Sequence, residues 1–403
     1  MLIVGASARA AAASARRAGF DVAACDLFAD RDLAAYGSAQ QVEHYPQGLR
    51  RWLKDQAAGS TSLPWLYTGA LENHPRLIDA MARVAPLWGC DGRAVRAARD
   101  PAIWCETLRQ SGVPTLPWLS GEKPSPGQGW LFKPAASGGG AGIRHAEQLT
   151  TVTKAGFWQK LQPGESCAAV YVVGQAHTLL LGLTRQEIGQ AWCGASGFQY
   201  CGSYGPWRAP LHHAASLRQL LAIGDGLGRL GLRGLVGVDL IATTDDPQGS
   251  HQFWPVEINP RYTASVEVLE AALDLRPIAL HAAACTGEAF PAAASFSGGQ
   301  AAKAILFARR DVTIGETLSD AMMDVAWLSA GSVCTPPGCE IGSNVRAGVA
   351  DIPAPGTFIK RGRPICTLLT WCAGVDEDSE QQLQQSLRQS AAYWEAQIYG
   401  AAN

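Results

Sequence analysis

Four residues near the middle of the chain have types and spacing that could do chemistry: Asp239, Glu257, Asn259 and Arg261. Leu235–Ile241 and Phe253–Ile258 are short, apolar, β-branched runs, and Asp245-Asp246-Pro247-Gln248-Gly249-Ser250 between them is a turn signal. Folded as a hairpin centred near Gln248, the chain sets Asp239 opposite Glu257. Val236, Val238, Leu240, Val256 and Ile258 then share one face, and Asp239, Glu257 and Asn259 share the other. Directly opposed side chains lie roughly 5 Å apart, where like charges repel. Two such acids with an amide oxygen two residues on can seat a hard divalent cation, and magnesium there commonly carries substrate phosphates. The same residues also suit the solvated outer face of an ordinary hairpin.

A second group lies upstream. Trp130-Leu131-Phe132-Lys133 reads as a strand ending in a lysine, followed by Pro134 to Ile143 with Gly138, Gly139, Gly140 and Gly142. Glycines let backbone N–H groups approach an anion and let a loop close as a lid, while the lysine can neutralise a phosphate. The lysine precedes the glycines and no GK[ST] follows, so this is not a Walker A loop. A flexible linker beside a solvated lysine is the other reading. Further on, the strand edge at Gln159, Lys160 and Leu161 could read a planar base with its main chain. Glu165 on the next turn could hold ribose hydroxyls or simply sit in solvent.

These groups need elements to carry them. Residues 1 to about 95 predict a small α/β unit: strand Leu2–Gly5, an alanine-rich helix Arg9–Ala18, strand Phe20–Asp26. The turn Gly5-Ala6-Ser7-Ala8-Arg9 is not GxGxxG, which argues against a dinucleotide site. Asp26, Glu72 and Asn73 read equally as ligand contacts or turn caps. Helices are predicted at about Asp100–Gln110, Ser216–Leu230 and Ser379–Ile398, a linker from Pro291 to Gly299, and short late strands with tight turns at Val349–Thr357 and Pro364–Leu369. The domains expected are therefore 1–95, 96–290 and 291–403.

Composition narrows the class. In 403 residues, 47% hydrophobic and 17% charged describe a globular protein, and a net charge of -2 supplies no field for nucleic acid or acidic lipid. There is no signal-peptide pattern at Met1 and no apolar run long enough to span a bilayer. The eleven cysteines lack a CxxC pair, and the closest, Cys334 with Cys339 and Cys366 with Cys372, lack zinc-site spacing. They read as buried free thiols of a cytoplasmic protein.

The order of the pieces resembles the ATP-grasp superfamily over residues from about 95 to 285. It runs from a lysine with a glycine loop, through Gln-x-x-x-Pro-Gly-Glu and the hairpin Asp, to Glu-Ile-Asn-Pro-Arg. The unit before it is similar to the Rossmann-like domain preceding ATP-grasp in carboxylate–amine ligases. The resemblance implies an α/β and α+β fold: that N-terminal domain, two ATP-grasp lobes holding ATP, and a small β-rich C-terminal domain serving as a lid or homodimer module. It implies Lys133 on the α- and β-phosphates, Ser137, Gly138, Gly139, Gly140 and Gly142 in the lid, and Gln159, Lys160 and Leu161 at the adenine. It further implies Glu165 on the ribose, Asp239, Glu257 and Asn259 on Mg2+ (Mn2+ able to substitute), and Arg261 facing an acyl phosphate. A basic residue common after the Asp at the head of the leading helix is missing, since Pro101 follows Asp100; Arg96 or Arg99 are the available replacements. Tyr200, Tyr204 and Arg208 resemble a substrate-side loop, or else an aromatic loop packed on the core. The activity implied is amide-bond formation between a small acid and an amine with release of ADP and phosphate. A fainter likeness is to glutamate ligases of methanofuran- and methanopterin-type one-carbon coenzyme pathways. A non-catalytic nucleotide sensor is the competing reading, and the joint presence of the acid pair and Arg261 argues for the enzyme.

Overall fold

The computed structural model describes residues 1–59, 62–125, 127–151, 155–244, 249–294, 297–328 and 345–400. The expected turn at Asp245–Gln248, Ser295 of the linker and the Cys334/Cys339 pair lie outside those residues. The nine described cysteines are free thiols, and no described helix is long and apolar enough to cross a membrane.

An apolar triplet, β1 (Leu2–Val4), opens the chain, and alanine-rich α1 (Arg9–Arg17) returns it to β2 (Val22–Asp26). With β3 (Gly37–Gln41), α2 (Gln47–Ala57) and β4 (Trp65–Tyr67) this completes a parallel sheet of order β3-β2-β1-β4. Asp26 accepts the N–H groups of Ala8 (2.7 Å), Phe28 (2.9 Å) and Ala29 (2.7 Å) and so fastens the turns around the sheet's end. Three helices follow: α3 (Pro75–Ala82), α4 (Gly92–Arg99) and α5 (Pro101–Gln110). Asp91 and Asp100 cap the last two, accepting from Ala94 N and Ala102 N. Pro101 fits the first helical position, where its missing N–H would have found no partner.

The small lobe is a sheet of β5 (Trp118–Leu119), β6 (Trp130–Pro134), β7 (Arg144–His145) and β8 (Gly156–Lys160), ordered β5-β8-β6-β7. Alternation along β6 buries Trp130 and Phe132 in a cluster with Trp158, the Phe132 and Trp158 rings meeting edge-on at 5.2 Å. Leu131 and Lys133 therefore take the opposite face, toward the cleft.

The large lobe continues through β9 (Glu165–Val173), β10 (Thr178–Ile188), β11 (Tyr200–Gly205), α6 (Ala214–Arg229), β12 (Gly234–Thr243), β13 (Gln252–Asn259), α7 (Ala264–Leu273) and α8 (Pro277–Thr286). Beyond these come β14 (Gln300–Phe307), β15 (Val312–Thr313), α9 (Glu316–Asp324), β16 (Val345–Ala350), β17 (Phe358–Ile359), β18 (Pro364–Cys372) and α10 (Glu377–Tyr399). One antiparallel sheet of eight strands, β13-β12-β9-β10-β11-β14-β18-β16, spans this whole part. Strand β9 is buried on both faces: Cys167, Ala169, Tyr171 and Val173 pack in the core that contains α6, while Val170 and Val172 pack in the one containing α7. Double coverage explains why Cys167–Val173 is a continuous apolar run.

One sequence expectation needs correction. Tyr200–Arg208 is not a loop throughout, because Tyr200–Gly205 is strand β11, paired with β10 and β14. The short strand and tight turn expected over Val349–Thr357 are the end of β16, which stops at Ala350, and Asp351, which turns the chain with φ +54°.

His281 on α8 joins the N-terminal unit to the large sheet. Its Nδ1 accepts from Leu235 N at 2.8 Å, so Nε2 donates to the Trp88 carbonyl at 3.1 Å. Burial pushes the imidazole down to about 4. The native state then binds fewer protons than the unfolded chain between about 4 and 6.5, so this stability is lost as pH falls through that window. The loss is expected to reach roughly 3 kcal/mol. Thermal unfolding midpoints across pH 4–7 should fall more steeply in the wild type than in His281→Gln.

Candidate active site

The site is a cleft of about 480 Å3 between the two lobes. Its floor is the β12–β13 pair, in which Asp239 faces Glu257 and Gly237 faces Asn259. The hairpin register expected from the sequence is therefore present. One residue breaks the alternation: Asp239 pairs with Glu257 but Leu240 pairs with Pro255, so Val256 is an extra residue in a β-bulge. Val256 lines the cleft with Lys133 and Glu257 and does not join Val238, Leu240 and Ile258 in the core, which corrects its expected face.

The bulge also serves Lys133. Its Nζ donates to the Val256 carbonyl at 2.7 Å and to Gln159 Oε1 at 3.2 Å, leaving one of three N–H groups. Burial pulls the Lys133 ammonium below its ordinary value, against the pull of Glu257 and Asp239. Gln159 Nε2 is buried without a partner among the described residues.

Each acid is held by a different neighbour. Arg99 Nη1 donates to Glu257 Oε1 at 3.1 Å, and its Nη2 reaches Asn73 Oδ1 (3.1 Å), Ala135 O (2.8 Å) and Ser137 O (3.2 Å). Of the two arginines left open by the sequence, Arg99 enters the site. Arg96 pairs instead with Asp79 at 3.3 Å, and both are partly exposed. Asp239 accepts from Gln186 Nε2 at 2.9 Å and Asn259 Nδ2 at 3.0 Å. Burial, and after it the facing Glu257 carboxylate, push Asp239 up to about 6. Asn259 turns its Oδ1 to Arg261 Nη2 at 3.1 Å, so its oxygen does not converge with the two carboxylates. Arg261 is anchored from behind by Glu72, Nε to Oε1 at 2.7 Å. Tyr67 donates to the Pro260 carbonyl at 3.1 Å.

The glycine loop leaves β6 at Pro134 and lies against the segment before β11. Tyr200 N donates to Gly139 O at 3.1 Å. Gly139, Gly140 and Gly142 have φ of +59°, +77° and +81°, and a Cβ added at Gly140 would sit 1.7 Å from the Phe198 carbonyl oxygen. Gln159, Lys160 and Leu161 line the cleft, but the Lys160 ammonium folds back onto the Gln128 carbonyl and over Trp130.

Three expected contacts lie elsewhere. Glu165 is exposed at the start of β9, does not line the cleft, and pairs with Arg185 Nε at 2.5 Å. Arg185 Nη1 also binds Glu380 of α10 at 2.9 Å. Tyr200 lines the cleft, its hydroxyl 2.8 Å from Ser203 Oγ, but Tyr204 packs at the edge of the C-terminal core. Arg208 Nη2 donates to the carbonyls of Gly298 (3.1 Å) and Gly299 (2.9 Å). Sequence reasoning missed Gln186 and Thr263, and placed Glu72 and Asn73 without knowing that they steady the site arginines. The only available signal for Gln186 was the polar end, Thr184 to Glu187, of a long apolar strand.

The acid pair suits a divalent cation, because two opposed carboxylates, one of them pushed up by burial and by the other's charge, form a donor set that a small hard ion would relieve. Asn259 could join it only by turning its amide over and giving up Arg261.

A parallel α/β unit, a small lobe with a glycine loop and a long antiparallel sheet, closing on a lysine and paired acids, form a two-lobed fold of the ATP-grasp class. Residues 98–265 match the ATP-grasp domain family. No curated protein matches the chain in sequence. Among solved structures it is similar to N5-carboxyaminoimidazole synthetase from Staphylococcus aureus (TM-score 0.64, 14% identity, 96% of each chain). It is likewise similar to N5-carboxyaminoimidazole ribonucleotide synthetase from Thermus thermophilus (TM-score 0.64, 14% identity, 97% of this chain and 98% of that one). A third is the biotin carboxylase domain dimer of 2-oxoglutarate carboxylase from Hydrogenobacter thermophilus, in complex with MgADP, ADP and bicarbonate (TM-score 0.63, 13% identity, 92% and 86%). At these identities the likeness is one of fold.

Proposed function

We propose that the chain is an ATP-dependent carboxylate–amine ligase that activates a small acid as its acyl phosphate, forms an amide, and releases ADP and phosphate. The observation that carries this is the convergence of Asp239, Glu257, Lys133 and Arg261 on one cleft beneath a glycine loop. A loop alone would suit many nucleotide binders. An arginine beside paired acids suits phosphoryl transfer, where charge spreads over oxygens that only positioned cations can stabilise.

In this reading Lys133 neutralises the α- and β-phosphates and Gln159 to Leu161 border the adenine. Mg2+, for which Mn2+ can substitute, would be held by Asp239 and Glu257, with Asn259 after a flip, and would supply Lewis-acid neutralisation of the phosphate oxygens. Arg261, steadied by Glu72, faces the developing acyl phosphate. Arg99 sets Glu257 against the loop and thereby stands in for the basic residue absent at Pro101. Ser137 to Gly142 exclude water from an intermediate that water would destroy. Residues 96–290 form the catalytic domain, 1–95 and 291–403 flank it, and a cytoplasmic homodimer is the assembly we favour.

Gly140→Ala places a side chain at φ +77° against the Phe198 carbonyl. The strain should be about 1–2 kcal/mol. It is expected to weaken Mg·ATP binding about tenfold by calorimetry and to lower the melting temperature by a few degrees. The ligase reading is tested by coupled ADP release over small acids and amines, with glutamate first among the acids and bicarbonate included. Amine-dependent ADP release supports it. A protein that binds Mg·ATP yet releases ADP with no pair is a nucleotide sensor, and the proposal fails.

A further inference from the structure

A second cavity, of about 260 Å3, shares Arg261, Thr263 and Ala264 with the nucleotide cleft and lies where the turn after β1, the start of α7 and the strands β14 and β18 meet. Its charged lining is Arg9, Arg261, Lys303, Asp30 and Asp351, and Asp32 and Glu267 stand behind it against Arg9. Three of those acids are engaged: Asp351 and Glu267 with Arg9, Glu267 also with Lys303 Nζ at 2.6 Å, and Asp32 with the N–H groups of Asp351 and Ile352. Asp30 is not. It is 7% exposed, lines the cavity, and its carboxylate has no hydrogen bond or ion pair among the described residues. Burial, and then Asp351, Asp32 and Asp26, push its carboxyl well above the usual range against the weaker pull of Arg9. Thr263 Oγ1, at the seam of the two cavities, is also buried without a partner.

The occupant can be argued from charge. A carboxylate would find no cation without a carboxylate partner among the described lining residues, since Arg9 and Lys303 are paired as above and Arg261 is held by Glu72 and Asn259. A neutral molecule would leave the Asp30 carboxyl without a partner, whereas an ammonium would supply the countercharge that favours its ionised form. Phe28, Ile305 and Ile365 supply apolar walls. We infer that this cavity seats the amine substrate of the ligase, a primary ammonium on a small apolar body without a carboxylate, bound through Asp30. The inference rests on the ligase reading. An ammonium proton passes to the Asp30 carboxylate, and the freed nitrogen lone pair attacks the acyl carbon. As the C–N bond forms, the C–O bond to phosphate breaks; phosphate leaves with that electron pair and takes the second nitrogen proton.

Benzylamine, with benzoate and benzyl alcohol as anionic and neutral counterparts, probes the cavity directly by calorimetry on the full chain. Benzylamine should bind the wild type, benzoate should not, and Asp30→Asn should weaken the amine at least roughly tenfold while Mg·ATP binding is unchanged. Equal amine affinity in Asp30→Asn, or benzoate binding as well as benzylamine, overturns the inference; the wild-type comparison decides the matter even if the variant does not fold. Hydroxylamine separates the two proposals. With Mg·ATP and acid, Asp30→Asn should still form the acyl hydroxamate while its KM for the amine rises. Wild-type protein that forms no hydroxamate with any acid defeats the ligase reading, and benzylamine binding still reports on the cavity.

Discussion

Glu257→Gln is expected to lower ADP release about 10²–10³-fold while leaving the protein at least as stable as the wild type. The two halves have one cause. Glu257 directly faces Asp239 across the β12–β13 ladder, and the facing charge helps push Asp239 up to about 6. Neutral glutamine removes that repulsion and can still accept from Arg99, so folding loses nothing. Cation affinity loses half of its charged donor set. Calorimetry with Mg·ATP and a melting curve measure both without knowledge of the acid or amine. Unchanged turnover, once a substrate pair is found, would remove Glu257 from the site.

Arg9→Met is expected to destabilise the whole protein by about 3–5 kcal/mol. Arg9 is 1% exposed and its guanidinium meets Asp351 twice at 3.1 Å, Asp32 at 3.5 Å, and Glu267. Against burial, Arg9 holds Asp351 down to about 2. Methionine would fill the space yet leave buried Asp32 and Glu267 and half-buried Asp351 with Lys303 alone. Denaturant unfolding measures the loss; a change under about 1 kcal/mol would mean that water and Lys303 satisfy the acids unaided.

The site's scaffold was legible where pattern is local. Two apolar runs around a turn fix which residues of β12 and β13 can oppose, so Asp239 and Glu257 could be paired from the sequence. The bulge could not be seen. A single extra residue reverses the side of everything beyond it, which is why Val256 was assigned to the core and lies in the cleft. Strand β11 was hidden by Gly202, Gly205 and Pro206, which read as breakers. In the sheet Gly202 is needed for closeness, since a Cβ there would be 2.5 Å from the Lys303 carbonyl oxygen. Contacts between distant segments were the least accessible. Nothing near Glu165 announces Arg185, and nothing near Arg99 distinguishes it from Arg96 until α4 is set against β13.

The eight-stranded sheet runs without a break from the acid-bearing hairpin to β16, crossing the expected boundary at residue 290. A protein truncated there would bare the backbone of β11 where it now pairs with β14, an open template for aggregation. It would also strand Glu267 without the Lys303 ammonium. The segment after residue 290 is thus expected to be inseparable from the rest of the fold, because it supplies the strand against which β11 is closed.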